Sequence, residues 1–124
     1  MSARRVLLVV ENDVDLSNLV KLTFKTHPDF IVDGHASSAT TAIERAGTIA
    51  PDLIVLDHFL DGDQTGLDVA RQLKEVAPGC RIILFSASEQ PREAAMDSPY
   101  VDAFVLKTNV GSLVARARQV LGSA

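Results

Sequence analysis

The side chains with the clearest chemical potential stand directly after short apolar runs of the sequence. They are Glu11, Asn12 and Asp13 after the first run, Asp57 after the third, Ser86 after the fourth and Lys107 after the fifth. Where such runs are the strands of one parallel sheet, the residues after them meet at its carboxyl edge, and open α/β sheets bind ligands there. The spacing therefore predicts one site that combines acids, a hydroxyl group and an ammonium group.

This predicted combination suits phosphoryl chemistry with a metal ion. Acids gathered at one point repel each other, a divalent cation relieves the repulsion, and oxygen-only ligands favour Mg²⁺. A carboxylate beside Mg²⁺ and a fixed ammonium group can attack a phosphorus centre and form an acyl phosphate. Asp57 is then the candidate nucleophile, and Lys107 is the ammonium group beside it.

The elements that must position these residues alternate along the chain. The runs 6–10, 53–56 and 82–85 are continuously apolar, as strands buried on both faces require. A second strand begins at residue 30, and a fifth covers residues 101–106. Asp13, Ser38 and Asn109 are expected to cap the first, second and last helices, and a weak helix is expected at residues 92–96. The pattern predicts an α/β fold, a doubly wound, five-stranded parallel sheet with five helices on its two faces.

The composition narrows the class of protein. A chain of 124 residues suits one domain, and 47% hydrophobic residues suffice for a core. The net charge is −4 and no run of Lys and Arg occurs, so we expect no direct contact with nucleic acid. The first apolar run is too short for a signal peptide or a membrane span, which predicts a cytoplasmic protein without a membrane partner. Cys80, the only cysteine, is expected in the core.

Four fragments at the strand ends resemble the receiver domain of response regulators, the phosphoacceptor domain of two-component signalling. They are VVEND at residues 9–13, PDLIVLD at 51–57, FSA at 85–87 and AFVLK at 103–107. The resemblance covers residues 4–121 and implies a flavodoxin-like fold with the strand order 2-1-3-4-5. We therefore expect residues 1–124 to form a single receiver domain, with no output domain in this chain.

The resemblance also implies a metal site and a phosphorylation site. Asp57 would take the phosphoryl group from a phosphohistidine, which makes a sensor histidine kinase or a phosphotransfer protein the expected partner. Glu11 and Asn12 match the acidic pair that holds Mg²⁺, with Asp57 and the carbonyl group of Phe59 as further ligands. The phosphorylated protein would act on a downstream protein target.

Three other residues match the parts of the family that respond to the phosphoryl group. Ser86 matches the hydroxyl group that hydrogen-bonds a phosphoryl oxygen, and Lys107 matches the lysine that pairs with another. Phe104 matches the aromatic residue that turns inward when the hydroxyl moves, which reshapes a partner surface. From the residues alone, Ser86 is equally a local hydrogen-bonding serine at a strand end, and Phe104 is equally a core residue.

The sequence departs from the family pattern at three places. Asn12 is neutral where the family usually has an acid, and Thr108 replaces the proline that normally follows the lysine. The loop between Asp57 and Gly66 is about one residue longer than usual, with Asp61 in place of a proline.

Two alternative functions remain open. A receiver-like interaction module that works without phosphorylation is favoured by Asn12 and Thr108, whereas Asp57, Ser86 and Lys107 argue against it. A phosphatase with an aspartate nucleophile would need a second acid at position 59, which is Phe. We therefore expect a signalling domain rather than an enzyme.

Overall fold

The computed structural model describes residues 4–60 and 63–122. Its strands are β1 (Arg5–Val10), β2 (Phe30–Ala36), β3 (Leu53–Asp57), β4 (Arg81–Ser86) and β5 (Ala103–Leu106). Its α-helices are α1 (Val14–Lys25), α2 (Ala39–Ile49), α3 (Gly66–Val76), α4 (Arg92–Asp97) and α5 (Leu113–Leu121), and a 3₁₀ helix covers Lys107–Ser112. Asp61, where a family proline is replaced, and Gly62 lie outside the described residues.

The five strands form one parallel sheet in the order β2-β1-β3-β4-β5. This order confirms the predicted flavodoxin-like fold. Because β1 and β3 are neighbours, residues 11 and 57 leave the sheet side by side. The register pairs Asp57 with Phe85 and Ser86 with Leu106, so the ends of β3, β4 and β5 also meet at this edge.

A separate core lies on each face of the sheet. The first packs Leu8, Ile54 and Leu84 against α2, α3 and α4, and the second packs Leu7 and Val55 against α1 and α5. All five residues of β3 are buried, because this central strand has helices on both sides. The continuous apolar run before Asp57 follows from that position.

Two of the three predicted helix caps are confirmed. Asp13 Oδ1 accepts a hydrogen bond from the N–H group of Leu16, and Ser38 Oγ accepts one from that of Thr41. The predicted cap at Asn109 is wrong, because the chain enters the 3₁₀ helix at Lys107 and α5 begins only at Leu113. Asn109 therefore stands inside a turn that has already started.

The fifth strand begins at Ala103, two residues later than predicted. Directly before this strand, Asp102 forms two hydrogen bonds with Ile82 of β4. Its N–H group donates to the Ile82 carbonyl oxygen, and its Oδ2 accepts from the Ile82 N–H group at 2.8 Å. Lys74 Nζ bonds the same carboxylate at 3.0 Å. A side chain thus replaces part of the strand pairing.

Three further observations concern Cys80, Thr108 and membrane-spanning helices. Cys80 is buried directly before β4, as expected for a core cysteine. Thr108 lies in the 3₁₀ helix, and the described residues contain no cis peptide bond. No helix in the described part of the chain is long and apolar enough to cross a membrane.

Candidate functional site

Lys107 joins two acids from different strands. Its Nζ lies 2.9 Å from Asp57 Oδ1 and 2.9 Å from Glu11 Oε1. Glu11 follows β1, Asp57 ends β3, and Lys107 follows β5, so the lysine reaches across the end of β4 to both acids. The side chains of the two acids are only 2% exposed, and that of Lys107 is 19% exposed.

The charges at this site do not balance. Two buried carboxylates face one ammonium group, which leaves an excess of negative charge in a poorly solvated place. Burial raises the pKa of Glu11 above its ordinary value, although Lys107 and the Asp13 N–H group act against the rise. Burial also opposes the charge of Lys107, but hydrogen bonds to Glu11 and Asp57 outweigh it and raise the pKa of the ammonium group.

The main chain after Asp57 supplies further polar groups. The N–H group of Phe59 donates to Asp57 Oδ1 at 3.2 Å, and its ring is 59% exposed beside the ring of His58. The N–H group of Gly66 donates to the His58 carbonyl oxygen at 2.7 Å. His58 is buried, and desolvation lowers the pKa of its imidazole. The loop is thus attached to the end of β3 at both of its ends.

Ser86 lies next to the acids but bonds elsewhere. The residue is fully buried, and its hydroxyl group donates to the Ser88 carbonyl oxygen at 2.9 Å. The same oxygen accepts from the Ser88 N–H group at 3.1 Å. The serine is therefore a local hydrogen-bonding residue in this structure, and no hydrogen bond joins it to Asp57 among the described residues.

The oxygen donors at this edge fit Mg²⁺. Glu11 and Asp57 contribute carboxylates, Asn12 is exposed next to them with an amide oxygen, and Phe59 has a main-chain carbonyl group. Hard cations prefer such oxygen ligands, and the uncompensated negative charge favours a cation. The described residues contain no group of three or more His, Cys, Asp or Glu suited to a metal, so neutral oxygens would have to complete the ligand set.

Phe104 is held under an arginine. Its ring is buried on β5, and the guanidinium carbon of Arg92 lies 4.6 Å from the ring centroid. Arg92 Nη2 also bonds Glu89 Oε1 at 3.0 Å. A groove of 320 Å³ beside the ring is lined by Arg92, Phe104 and Arg116, among others.

The sequence reasoning placed residues 88–110 in the region that responds to the phosphoryl group, but it did not identify the contacts of Ser88, Glu89 and Arg92 or the closeness of Gly66 to Asp57. No distinctive motif marks the first three contacts. Gly66 had a detectable signal, because Thr65 and Asp68 form a capping box that marks the start of α3. A helix that starts so close after β3 must pass near Asp57.

Solved structures support the fold. A DNA-binding response regulator of the LuxR family from Staphylococcus aureus superposes with a TM-score of 0.85 at 24% identity, covering 95% of this chain and 99% of that one. The response regulator domain of Thermotoga maritima CheB gives a TM-score of 0.81 at 21% identity, covering 95% of this chain and 96% of that one. At these identities the similarity shows the fold alone.

Curated relatives are more similar in sequence. The response regulator protein VraR of Staphylococcus saprophyticus is 34% identical over 94 residues, which are 74% of this chain and 44% of the relative. The nitrate/nitrite response regulator protein NarL of Escherichia coli is 33% identical over 87 residues, 70% of this chain and 40% of the relative. The chain thus spans less than half the length of these relatives.

The expectation that nucleic acid is not a partner is wrong. The Staphylococcus aureus neighbour is named as a DNA-binding response regulator, and the curated relatives VraR and NarL are response regulators as well. The expectation rests on the charge of this chain, and such an argument covers only contacts between the chain's own surface and phosphates. It says nothing of DNA bound by another part of a regulator.

The match to a family model agrees with the geometry of the site. The model of the response regulator receiver domain matches residues 7–118, which include both acids and the lysine. The sheet order, the buried Asp57 at a strand end and the lysine beside it occur within this matched region. The chain therefore belongs to the response regulator receiver domains, the signalling domains of two-component systems.

Proposed function

We propose that Asp57 accepts a phosphoryl group from a phosphohistidine of a sensor histidine kinase or a phosphotransfer protein. The observation that carries the proposal is the contact of 2.9 Å between Lys107 Nζ and the buried carboxylate of Asp57. A carboxylate held at a sheet edge beside a fixed cation suits nucleophilic attack on phosphorus. The protein would act in the cytoplasm.

Two polar groups converge on one oxygen of Asp57. The Lys107 ammonium group and the Phe59 N–H group both contact Oδ1. In the proposed step, a carboxylate oxygen forms a bond to phosphorus while the phosphorus–nitrogen bond of the donor breaks. The electron pair leaves with the imidazole, and the product is an acyl phosphate. The Lys107 ammonium group then forms an ion pair with a negatively charged phosphoryl oxygen.

Receiver domains generally bind Mg²⁺ at the acidic pocket, and we propose the same for this chain. Glu11, Asn12, Asp57 and the Phe59 carbonyl group would hold the ion. When bound, Mg²⁺ would supply positive charge that offsets the repulsion between the acids and the phosphoryl oxygens. The excess of negative charge beside Lys107 supports this proposal.

The proposed signal leaves the site through Ser86. If its hydroxyl group donates to a phosphoryl oxygen, it gives up the hydrogen bond that it donates to the Ser88 carbonyl oxygen. Ser88 belongs to the segment that leads to Arg92 and, through that guanidinium group, to Phe104. We propose that this segment then rearranges and that a downstream protein recognises the change.

The experiment is intact-mass analysis after incubation with acetyl phosphate and Mg²⁺. The wild type should gain one phosphoryl group, and Asp57→Asn should gain none, because the amide is not a nucleophile. Asp13→Asn is the matched control, since Asp13 lies at the same edge but caps α1. If the wild type stays unmodified after long incubation with the donor in excess, the proposal fails.

Two observations favour a second candidate function, a receiver-like module that works without phosphorylation. Asn12 is neutral and exposed where an acid would strengthen a metal site, and Ser86 is already satisfied by Ser88. An unmodified wild type in the experiment above would select this candidate. The phosphatase alternative lacks support, since Phe59 places an exposed apolar ring where a general acid would be needed.

A further inference from the structure

Gly66, the first residue of α3, lies closer to the main chain of Asp57 than any side chain would permit. A Cβ atom built at this position would be 2.6 Å from the Asp57 carbonyl oxygen and 3.0 Å from the Cα atom of His58. It would also be 2.7 Å from Leu84 Cδ1. Two of these atoms belong to the main chain and cannot rotate away, so a side chain here would have to displace the end of β3 or the start of α3.

The start of α3 is also bonded to this segment. The N–H group of Gly66 donates to the His58 carbonyl oxygen at 2.7 Å. Phe59 pairs with Thr65 in an isolated antiparallel bridge, and Thr65 forms a capping box with Asp68. The helix start and the peptide groups around Asp57 therefore form one closely packed unit, in which a displacement of one displaces the other.

The position of the Asp57 carboxylate depends on this unit. Its Oδ1 lies 2.9 Å from Lys107 Nζ and 3.2 Å from the Phe59 nitrogen. Lys107 follows β5, which is two strands away from β3 in the sheet, so its main chain is not part of the 57–59 segment. A displacement of that segment would therefore change the distance between the carboxylate and the ammonium group. Misplacing a reacting group by about 1 Å costs on the order of a hundredfold in rate.

We infer that Gly66 is a positioning residue for the phosphorylation of Asp57. Its missing side chain lets α3 begin directly against the Asp57 peptide, and this contact sets the carboxylate at the right distance from Lys107. The inference rests on the proposed function and adds to it a residue that touches neither the phosphoryl group nor the metal site.

The test compares two single-methyl additions, Gly66→Ala and Gly79→Ala. A Cβ atom at Gly79 would meet nothing within 4 Å, so this variant is the matched control. We expect Gly66→Ala to shift the NMR signals of the Asp57 and His58 amides and of the Lys107 ammonium group. The rate of phosphorylation by acetyl phosphate at saturating Mg²⁺ should fall at least tenfold. Gly79→Ala should stay within about twofold of the wild type, and a wild-type rate for Gly66→Ala overturns the inference.

A second variant separates positioning from general packing. Leu84→Val in the Gly66→Ala background removes the side-chain clash but leaves the contact with the Asp57 carbonyl oxygen. We expect the urea midpoint to recover partly while the phosphorylation rate stays low. Leu84→Val alone should be phosphorylated at nearly the wild-type rate. Recovery of rate and midpoint together in the double variant would mean that Gly66 acts through packing only, which overturns the inference.

The inference and the proposed function fail in different ways. If wild-type Asp57 accepts no phosphoryl group, the proposed function fails, but the NMR signals still test the geometric part. Unshifted Asp57 and Lys107 signals in Gly66→Ala would overturn the positioning role. Shifted signals together with an unchanged rate in Gly66→Ala would overturn it as well, and would leave the proposed function intact.

Discussion

Asn12 is the residue whose chemistry departs most from what its position suggests. It stands beside Glu11 at the edge of the acidic site, exposed and neutral. An amide oxygen offers a cation one ligand without a charge, whereas a carboxylate would add a direct attraction. At an effective dielectric constant near 20, unit charges about 4 Å apart attract by about 4 kcal/mol, and dehydration of the carboxylate cancels much of this.

We therefore predict that Asn12→Asp tightens Mg²⁺ binding. A net gain on the order of 1 kcal/mol corresponds to an affinity about five- to tenfold higher. Phosphorylation should be faster at limiting Mg²⁺ and almost unchanged at saturating Mg²⁺. Titration of Mg²⁺, followed by NMR shifts and by the phosphorylation rate, measures both effects.

Asn18→Asp is the control for charge alone. It makes the same substitution at an exposed position in the second turn of α1. If both variants gain Mg²⁺ affinity equally, the gain arises from long-range attraction by the added negative charge and not from ligation by residue 12. Equal affinities of Asn12→Asp and the wild type would show that residue 12 is not a metal ligand.

At the scale of elements, α4 is a weakly secured helix. It is six residues long, and no side chain caps it. The guanidinium group of its first residue, Arg92, lies over the Phe104 ring and pairs with Glu89 in the preceding loop. Short, uncapped elements with few buried residues open at low free-energy cost, so a local change can rearrange this segment.

We predict that beryllofluoride, a mimic of the phosphoryl group, shifts amide signals across residues 88–110. The physical reason is the chain of contacts from Ser86 through Ser88 to Arg92 and Phe104. Asp57→Asn is the control and should show no such shifts. Shifts confined to residues next to Asp57 would contradict a transmitted change.

A pH-dependent prediction concerns the start of α3. The N–H and hydroxyl groups of Thr65 lower the pKa of Asp68, so its carboxylate stabilises the folded state. A lowered folded pKa means that this stabilisation is complete above the unfolded pKa of about 4 and is lost as the pH falls through the folded pKa. Asp68→Ala should therefore lower the free energy of unfolding by roughly 0.5–1 kcal/mol at pH 7.

Urea unfolding at several pH values measures this effect. The difference between wild type and Asp68→Ala should shrink as the pH falls below about 4. Glu75→Ala, an exposed acid on the same helix, is the control and should show no comparable loss. A constant difference down to pH 2 would rule out the carboxylate as its origin.

At the scale of the molecule, one sheet separates two cores. Leu7 and Leu8 are neighbours in β1 and are both fully buried, but they point into different cores. Because β1 and β3 belong to both cores, neither face can lose its packing without disturbing the other. We therefore expect the chain to unfold as one cooperative unit.

The corresponding prediction compares Leu7→Ala with Leu8→Ala. Each should lower the free energy of unfolding by about 2–5 kcal/mol, because each leaves a cavity in a packed core. Both should show a single urea transition in far-UV circular dichroism. The near-UV circular dichroism of the phenylalanine side chains should show the same transition. Leu22→Ala, at a position 62% exposed, should change the free energy of unfolding by no more than about 0.5 kcal/mol. Two separate transitions in either core variant would contradict the single unit.

The amino-acid sequence by itself determined the alternation of strands and helices and the residues at the strand ends. Both are local properties: a buried strand needs a continuous apolar run, and a residue that follows such a run must emerge at the sheet edge. Asp13 and Ser38 were predictable as caps for the same reason, since a cap bonds a main-chain group only a few residues away. The family fragments lie at these same local positions.

Only the tertiary structure decided which partner each of these residues takes. The contacts of Lys107 with Glu11 and Asp57 join parts of the chain that are far apart in sequence, and their electrostatic strength depends on burial. Ser86 could have bonded Asp57 or Ser88, and the local geometry after β4 selected Ser88. The closeness of Gly66 to the Asp57 peptide likewise depends on where α3 packs. Distances across a folded sheet arise from packing, which no local pattern records.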